Sequence, residues 1–158
     1  MPNPTMHEIE EAKEVVDPKR YSELLREVDL VDIVQKRQRS ALKGTLNLGK
    51  KSFQFSESMQ IRECNDDLCI LDCQFKLKAK SGRNIVAEIE TTYSVYLRLS
   101  SAVPREFFIL YNHFSLPIQL FPYFREEVQS RFAKMGLPTL VLPLRKYLVP
   151  DSKDTKKD

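Results

Sequence analysis

The sequence predicts an α+β domain: an antiparallel sheet with helices packed on one side. Two observations carry that prediction. Long stretches alternate apolar and polar residues, and helical periodicity takes over after them. Residues 52–64 place Phe53, Phe55, Met59 and Ile61 on one parity. Residues 68–80 set Cys69, Leu71, Cys73, Phe75, Leu77 and Ala79 against Asp72, Gln74, Lys76 and Lys78. Residues 85–99 set Ile85, Ala87, Ile89, Tyr93, Val95, Leu97 and Leu99 against Glu88, Glu90, Thr92, Ser94 and Arg98. Alternation this clean over strands this long marks a sheet with one covered face. Ser81-Gly82-Arg83-Asn84 joins the last two strands as a hairpin.

Ahead of the strands, Asp17-Pro18 is a helix start, with Asp as N-cap and Pro at the first helical position. Tyr21, Leu24, Leu25 and Val28 follow at helical spacing, and the helix is expected to reach about Val31. Residues 32–42 fit a helix tail or an exposed strand equally well. After the strands, Pro104 starts a short helix through Tyr111, and Pro117 and Pro122 bracket a stiff elbow. A helix from Pro122 to about Met135 carries Phe121, Phe124, Val128, Phe132 and Met135 on one face. Gly136 stops it in the left-handed conformation, and Pro138 prevents continuation. The expected division is a flexible leader over 1–16, a domain over 17–150, and a disordered charged tail over 151–158.

The chain has 158 residues, enough for one domain core, and a net charge of only +3 with both signs interleaved. That balance argues against nucleic acid as a partner. No apolar run approaches the roughly 20 residues that span a bilayer, and residues 1–16 are too polar for a secretory signal. A cytoplasmic location without membrane insertion is the expectation. The three cysteines, Cys64, Cys69 and Cys73, match no zinc spacing and read as buried, reduced, structural thiols.

Catalytic chemistry is not in evidence. The glycines at 44, 49, 82 and 136 are too scattered for a phosphate loop, and no nucleophile elbow exists. Glu88 and Glu90 share a strand face as an acid/base pair would, yet a solvent-facing strand accounts for them. His113 reads as a surface or helix-end residue. Lys36, Arg37 and Arg39 read as a solvated basic face. No enzyme, metal or cofactor is expected. What remains is apolar surface. Phe107, Phe108, Phe114, Phe121, Phe124 and Phe132 all lie in the last third; most of them are expected to pack the helices on the sheet, and a residual exposed patch would mark a protein-binding or oligomer surface.

Leu120, Phe121, Pro122, Tyr123, Arg125 and Glu126, followed by Gly136, Pro138, Leu140, Leu142 and Pro143, resemble the Leu-Phe-Pro-Tyr-x-Arg-Glu and Gly-x-Pro-x-Leu-x-Leu-x-Pro segments of the SecB export chaperones. The resemblance is specific over 117–143 and topological over 30–100. It implies a four-stranded antiparallel sheet with helices on one face, residues 30–42 as the first strand, and a homotetramer built as a dimer of dimers. It also implies an ATP-independent holdase that keeps non-native polypeptides extended in apolar grooves for protein export. By position the groove residues are Phe53, Phe55, Met59, Ile61, Leu137, Leu140 and Leu142.

Two departures bear on the partner. SecB ends in a further helix and an acidic tail that docks on the SecA motor. Here residues 144–149 allow barely one turn, and the tail is charge-balanced. The helix at 18–28 is additional, and is similar to SecB-like chaperones of toxin–antitoxin systems. The alternative reading is therefore a dedicated adaptor for one partner, such as an antitoxin, on the same scaffold.

Overall fold

Two helices lead into a four-stranded antiparallel sheet, and a long helix with a π-helical turn within it follows the sheet. The structure, a computed structural model, describes residues 4–45, 51–138, 140 and 142. The tail expected over 151–158 and the end of the domain near 150 lie outside the described residues.

Helix α1 spans Met6–Val15. Thr5 and Glu8 form a reciprocal cap: the Glu8 N–H donates to Thr5 Oγ1 at 3.2 Å, and the Thr5 N–H donates to Glu8 Oε2 at 2.7 Å. Ile9, Ala12 and Val16 are buried in the core, and α1 packs on the later helix α3. The flexible leader expected over 1–16 is thus corrected over its described residues, 4–16. Mean polarity concealed an apolar stripe at i, i+3 and i+7, which is enough to dock a capped helix.

Helix α2 spans Pro18–Leu25, capped by Asp17, whose carboxylate accepts from the Arg20 N–H at 2.8 Å. It ends six residues before Val31, because strand β1 begins at Val28 and runs to Leu42. Val28, Val31, Ile33 and Val34 are β-branched, and pairing with a neighbouring strand overrides the helical spacing of Tyr21 to Val28. Strands β2 (Lys51–Cys64), β3 (Leu68–Ser81) and β4 (Asn84–Leu99) follow. The order across the sheet is β1-β4-β3-β2, all antiparallel. The β3–β4 hairpin turns through Gly82-Arg83, and Gly82 sits at φ +62°, which glycine adopts at no steric cost.

Register fixes the faces. Phe55, Leu77, Ile89 and Ser40 lie on one cross-strand row, and Met59, Cys73, Tyr93 and Gln35 on another. On β3 and β4 these positions are almost wholly buried under the helices. The alternate positions form an open polar face, laced by Arg62–Asp72 at 3.0 Å, Lys43–Glu88 at 2.7 Å and Lys76–Glu90 at 3.6 Å.

The last helix departs from the sequence expectation. Helix α3 (Arg105–Leu110) passes into a π-helical turn (Tyr111–Ser115) and then into α4 (Leu116–Lys134) without a break. The expected elbow between Pro117 and Pro122 is helical. Pro117 lies just after the π turn, whose wider hydrogen-bond spacing accommodates a residue that has no N–H to donate. Pro122 sits inside the helix on its exposed side. The C-terminus of α4 is as expected. Gly136 has φ +69°, its N–H donates to Ala133 O at 3.1 Å, and the Leu137 N–H donates to Phe132 O at 3.0 Å. Those two bonds are the Schellman closure that only a left-handed residue permits.

Candidate functional site: an aromatic groove along the edge strand

Strand β2 is an edge of the sheet, and no described residue pairs with its outer side. Its helix-facing positions are Phe53, Phe55, Glu57, Met59 and Ile61, opposite Ala79, Leu77, Phe75, Cys73 and Leu71 of β3. Helix α4 runs over β3 and reaches these side chains only from one flank. Phe53 lies 6.4 Å from the Phe132 ring, and Phe55 lies 5.8 Å from each of Phe75, Phe121 and Phe124. The core side of the cluster is closed, since Phe75, Phe124 and Phe132 are at most 1% exposed. Its outer side is open: Phe53 and Phe55 remain 36% and 39% exposed. The result is a trough with aromatic walls, flanked by the backbone edge of β2.

The seven residues expected in the groove separate by burial. Phe53 and Phe55 are exposed, Ile61, Leu137 and Leu140 are half-buried against the core, and Met59 and Leu142 are buried. Of the motif residues, Leu120 and Phe121 are core, and Tyr123 is half-exposed with its ring 6.4 Å from Tyr93. Burial pushes the Tyr93 phenol up, with the Glu127 carboxylate adding to it. Pro122 and Glu126 face outward and Arg125 is half-buried, while Gly136 and Pro138 end the helix.

Past Phe55 the trough changes character. A cavity of about 230 Å³ is lined by Pro4, Met6 and Ile9 of the N-terminal segment, Glu57 and Met59 of β2, and Asn112 and His113 of the π turn. Asn112 is 3% exposed, and its Oδ1 has no hydrogen-bond partner among the described residues. Glu57 and Asn112 were not singled out from the sequence. The signal for Glu57 was present, because it interrupts the series Phe53, Phe55, Met59, Ile61 at the same parity. An inward charge on an edge strand also discourages edge-to-edge pairing. Asn112 gave no signal, since its burial follows from the π turn.

The structure does not bring together the residues that an enzyme reading would use. Glu88 and Glu90 lie on the open sheet face, whereas His113 lines the cavity on the covered side. The Lys43 ammonium, hydrogen-bonded to Glu88, holds that carboxyl below the usual range. Glu90 accepts from Gln74 at 3.0 Å. A cleft on that face is lined by Arg39, Lys43 and Lys76 as well as by the two glutamates, and Lys43 and Lys76 pair with Glu88 and Glu90. Among the described residues no cluster of three His, Cys, Asp or Glu could hold a metal, and no helix is long and apolar enough to cross a membrane. Cys69 and Cys73 are buried as expected, but Cys64 is exposed, because it ends β2 at the open hairpin tip.

No protein-family model and no curated protein matches the chain. Among solved structures it is similar to the Rv1957 SecB-like chaperone of Mycobacterium tuberculosis, determined in complex with a ChAD peptide from the Rv1956 HigA1 antitoxin. The TM-score is 0.71 at 15% identity, over 80% of this chain and 97% of that one. A protein of unknown function from Streptococcus agalactiae aligns at a TM-score of 0.45 and 11% identity, over 74% of this chain and 97% of that one. The chain has the fold of a SecB-like chaperone, a four-stranded antiparallel sheet with helices on one face.

Proposed function

We propose that this protein is an ATP-independent holdase that binds extended, non-native polypeptide along β2. The observation that carries the reading is the pair Phe53 and Phe55, more than one-third exposed on the covered side of an edge strand. An extended chain laid beside β2 meets a strand edge that no described residue pairs, for main-chain hydrogen bonds, and aromatic rings for alternate side chains. Both kinds of contact tolerate varied sequences. Binding only the unfolded chain draws it off its folding equilibrium by mass action, so no nucleotide is needed. In this reading Phe53, Phe55 and Ile61 face the client, Met59 and Leu142 form the floor, and Leu137 and Leu140 continue the wall. The protein acts as a homotetramer in the cytoplasm, serving protein export or a narrower clientele.

The narrower reading is favoured by one observation. The structurally similar chaperone was solved with a peptide from an antitoxin, so a single dedicated antitoxin-like partner is the second candidate. SecA is the partner on the export reading. The test is suppression of aggregation of a chemically denatured client without nucleotide. Suppression at stoichiometric ratios supports the general holdase. Poor suppression combined with co-purification of one small protein supports the dedicated adaptor. No suppression at several-fold molar excess and no bound partner would overturn both.

A further inference from the structure

Strand β2 and strand β3 meet at a tip closed by Asn65-Asp66-Asp67. Asn65 Oδ1 accepts from the N–H groups of Asp67 at 3.0 Å and Leu68 at 2.9 Å, and the Asn65 N–H donates to Leu68 O at 2.9 Å. This closure fixes the last register pair of the hairpin, which is Cys64 opposite Cys69. The Asn65–Leu68 pair carries a ladder bond. By alternation the next pair inward is of the non-hydrogen-bonded type, whose Cα atoms stand about 4.5 Å apart with side chains close. That spacing lies inside the window a disulfide needs, about 4.4–6.8 Å. Directly opposed residues also point to the same face of the sheet, so the two thiols face each other across the strand pair. Cys64 is exposed while Cys69 is wholly buried.

We propose that Cys64 and Cys69 are a redox-modifiable dithiol, which a hydroperoxide converts to a disulfide that staples β2 to β3. Cys64 is the thiol an oxidant reaches. Its sulfur takes one oxygen from the hydroperoxide to give a sulfenic acid, and the hydroperoxide leaves as the alcohol. The Cys69 sulfur then attacks Cys64 Sγ, forming the S–S bond; the Cys69 proton and the Cys64 hydroxyl depart as water. The two thiols lose two electrons and two protons, and the peroxide O–O bond is reduced. A neutral hydroperoxide suits the site better than an anionic disulfide such as oxidised glutathione, because Glu63, Asp66 and Asp67 flank the pair. Cys73 does not compete. It lies four residues along the same strand from Cys69, about 13 Å away, and faces Met59.

Burial holds both thiols above their ordinary range. The attacking species is the thiolate, so oxidation is slow near neutrality and accelerates as pH rises. The staple closes the far end of the strand that carries Phe53 and Phe55, but its formation does not depend on the holdase reading.

The test treats the full chain at pH 8 with hydrogen peroxide, followed by thiol titration and peptide mapping under non-reducing conditions. The expected result is loss of two of the three thiols in a monomeric chain, with Cys64 and Cys69 joined in one cross-linked peptide and reversal by dithiothreitol. Cys73→Ala should leave the reaction unchanged, and Cys64→Ser, at an exposed position, should abolish it. Retention of all three thiols, a Cys64–Cys64 cross-link between chains, or oxidation arrested at a sulfinic acid would each overturn the proposal. Aggregation suppression measured on the same reduced and oxidised samples keeps the two readings separate, since a disulfide without holdase activity retains the staple and removes the function.

Discussion

At the scale of single residues, the same aromatic type does two jobs, and burial separates them. Phe124 is wholly buried and stacks on Phe75 at 5.1 Å, so Phe124→Ala should cost about 3–5 kcal/mol of stability, read by urea denaturation. Phe55 touches the same cluster with 39% of its surface still in water. Phe55→Ser should cost far less stability and remove about 2 kcal/mol of client affinity, a factor of about 30 in Kd by fluorescence titration with a denatured client. Equal losses of stability in the two variants, with binding unchanged in Phe55→Ser, would assign Phe55 to the core instead. Gly136 supplies a third contrast. A Cβ there would meet no atom of the described residues within 4 Å, so among them the obstacle to Gly136→Ala is the φ of +69°. The expected cost is about 1 kcal/mol, from backbone strain and not from packing.

At the scale of elements, legibility in the sequence followed the period. Strands β2, β3 and β4 were readable because one face is covered, so every second residue is constrained. The same parity delivered the groove strand, whereas Glu57 escaped notice as one polar residue in an apolar series. β1 was ambiguous because it is an edge whose residues are mostly exposed on both faces, which erases the alternation. The docking of α1 was missed because three buried residues, Ile9, Ala12 and Val16, decide it against a polar background. Ile9→Ala should therefore lower global stability by about 2–4 kcal/mol, a value no flexible leader would give, and thermal unfolding checks it. Acid should act on α1 in the same sense. The Thr5 donors hold the Glu8 carboxyl below its ordinary value near 4.5. The folded-state pKa is the depressed one, so the capping contribution is complete above that ordinary value and fades as pH falls through the folded one. The cavity residue Asn112 was illegible for another reason. Its position depends on the π turn ahead of Pro117, and π turns have no periodic signature.

At the scale of the whole molecule, the helical layer is narrower than the sheet. The helices cover β3 and β4, whose helix-facing residues are nearly all buried, and reach β2 only from one flank. β1 lies on the other side of β4, and only part of its helix-facing side is covered: Val28 and Ile33 are half-buried against the core, whereas Leu30, Gln35, Ser40 and Leu42 are exposed. Leu30 opposes the buried Leu97 and Leu42 opposes the buried Ala87, so both point to the covered side, yet they are 47% and 49% exposed. Two leucines half-exposed on one strand, beside an outer edge that no described residue pairs, form a surface that a second copy can cover with its own β1. That arrangement joins two sheets edge to edge while leaving both β2 edges at the outside, where the aromatic troughs face solvent. On the proposed reading it would lengthen the client surface without occluding it. Light scattering on the wild-type chain should give a multiple of the 18.5 kDa protomer, with four copies expected for the proposed assembly. Leu42→Asp should shift the mass downward, since a carboxylate buried at the interface without a partner costs several kcal/mol. Circular dichroism should be unchanged in that variant, because Leu42 contributes little to the protomer core. Suppression of a long denatured client should fall with the mass, while binding of a short peptide to the Phe53–Phe55 trough should persist. A wild-type monomer with full activity on long clients would separate the groove from the assembly and leave β1 as a solvated edge.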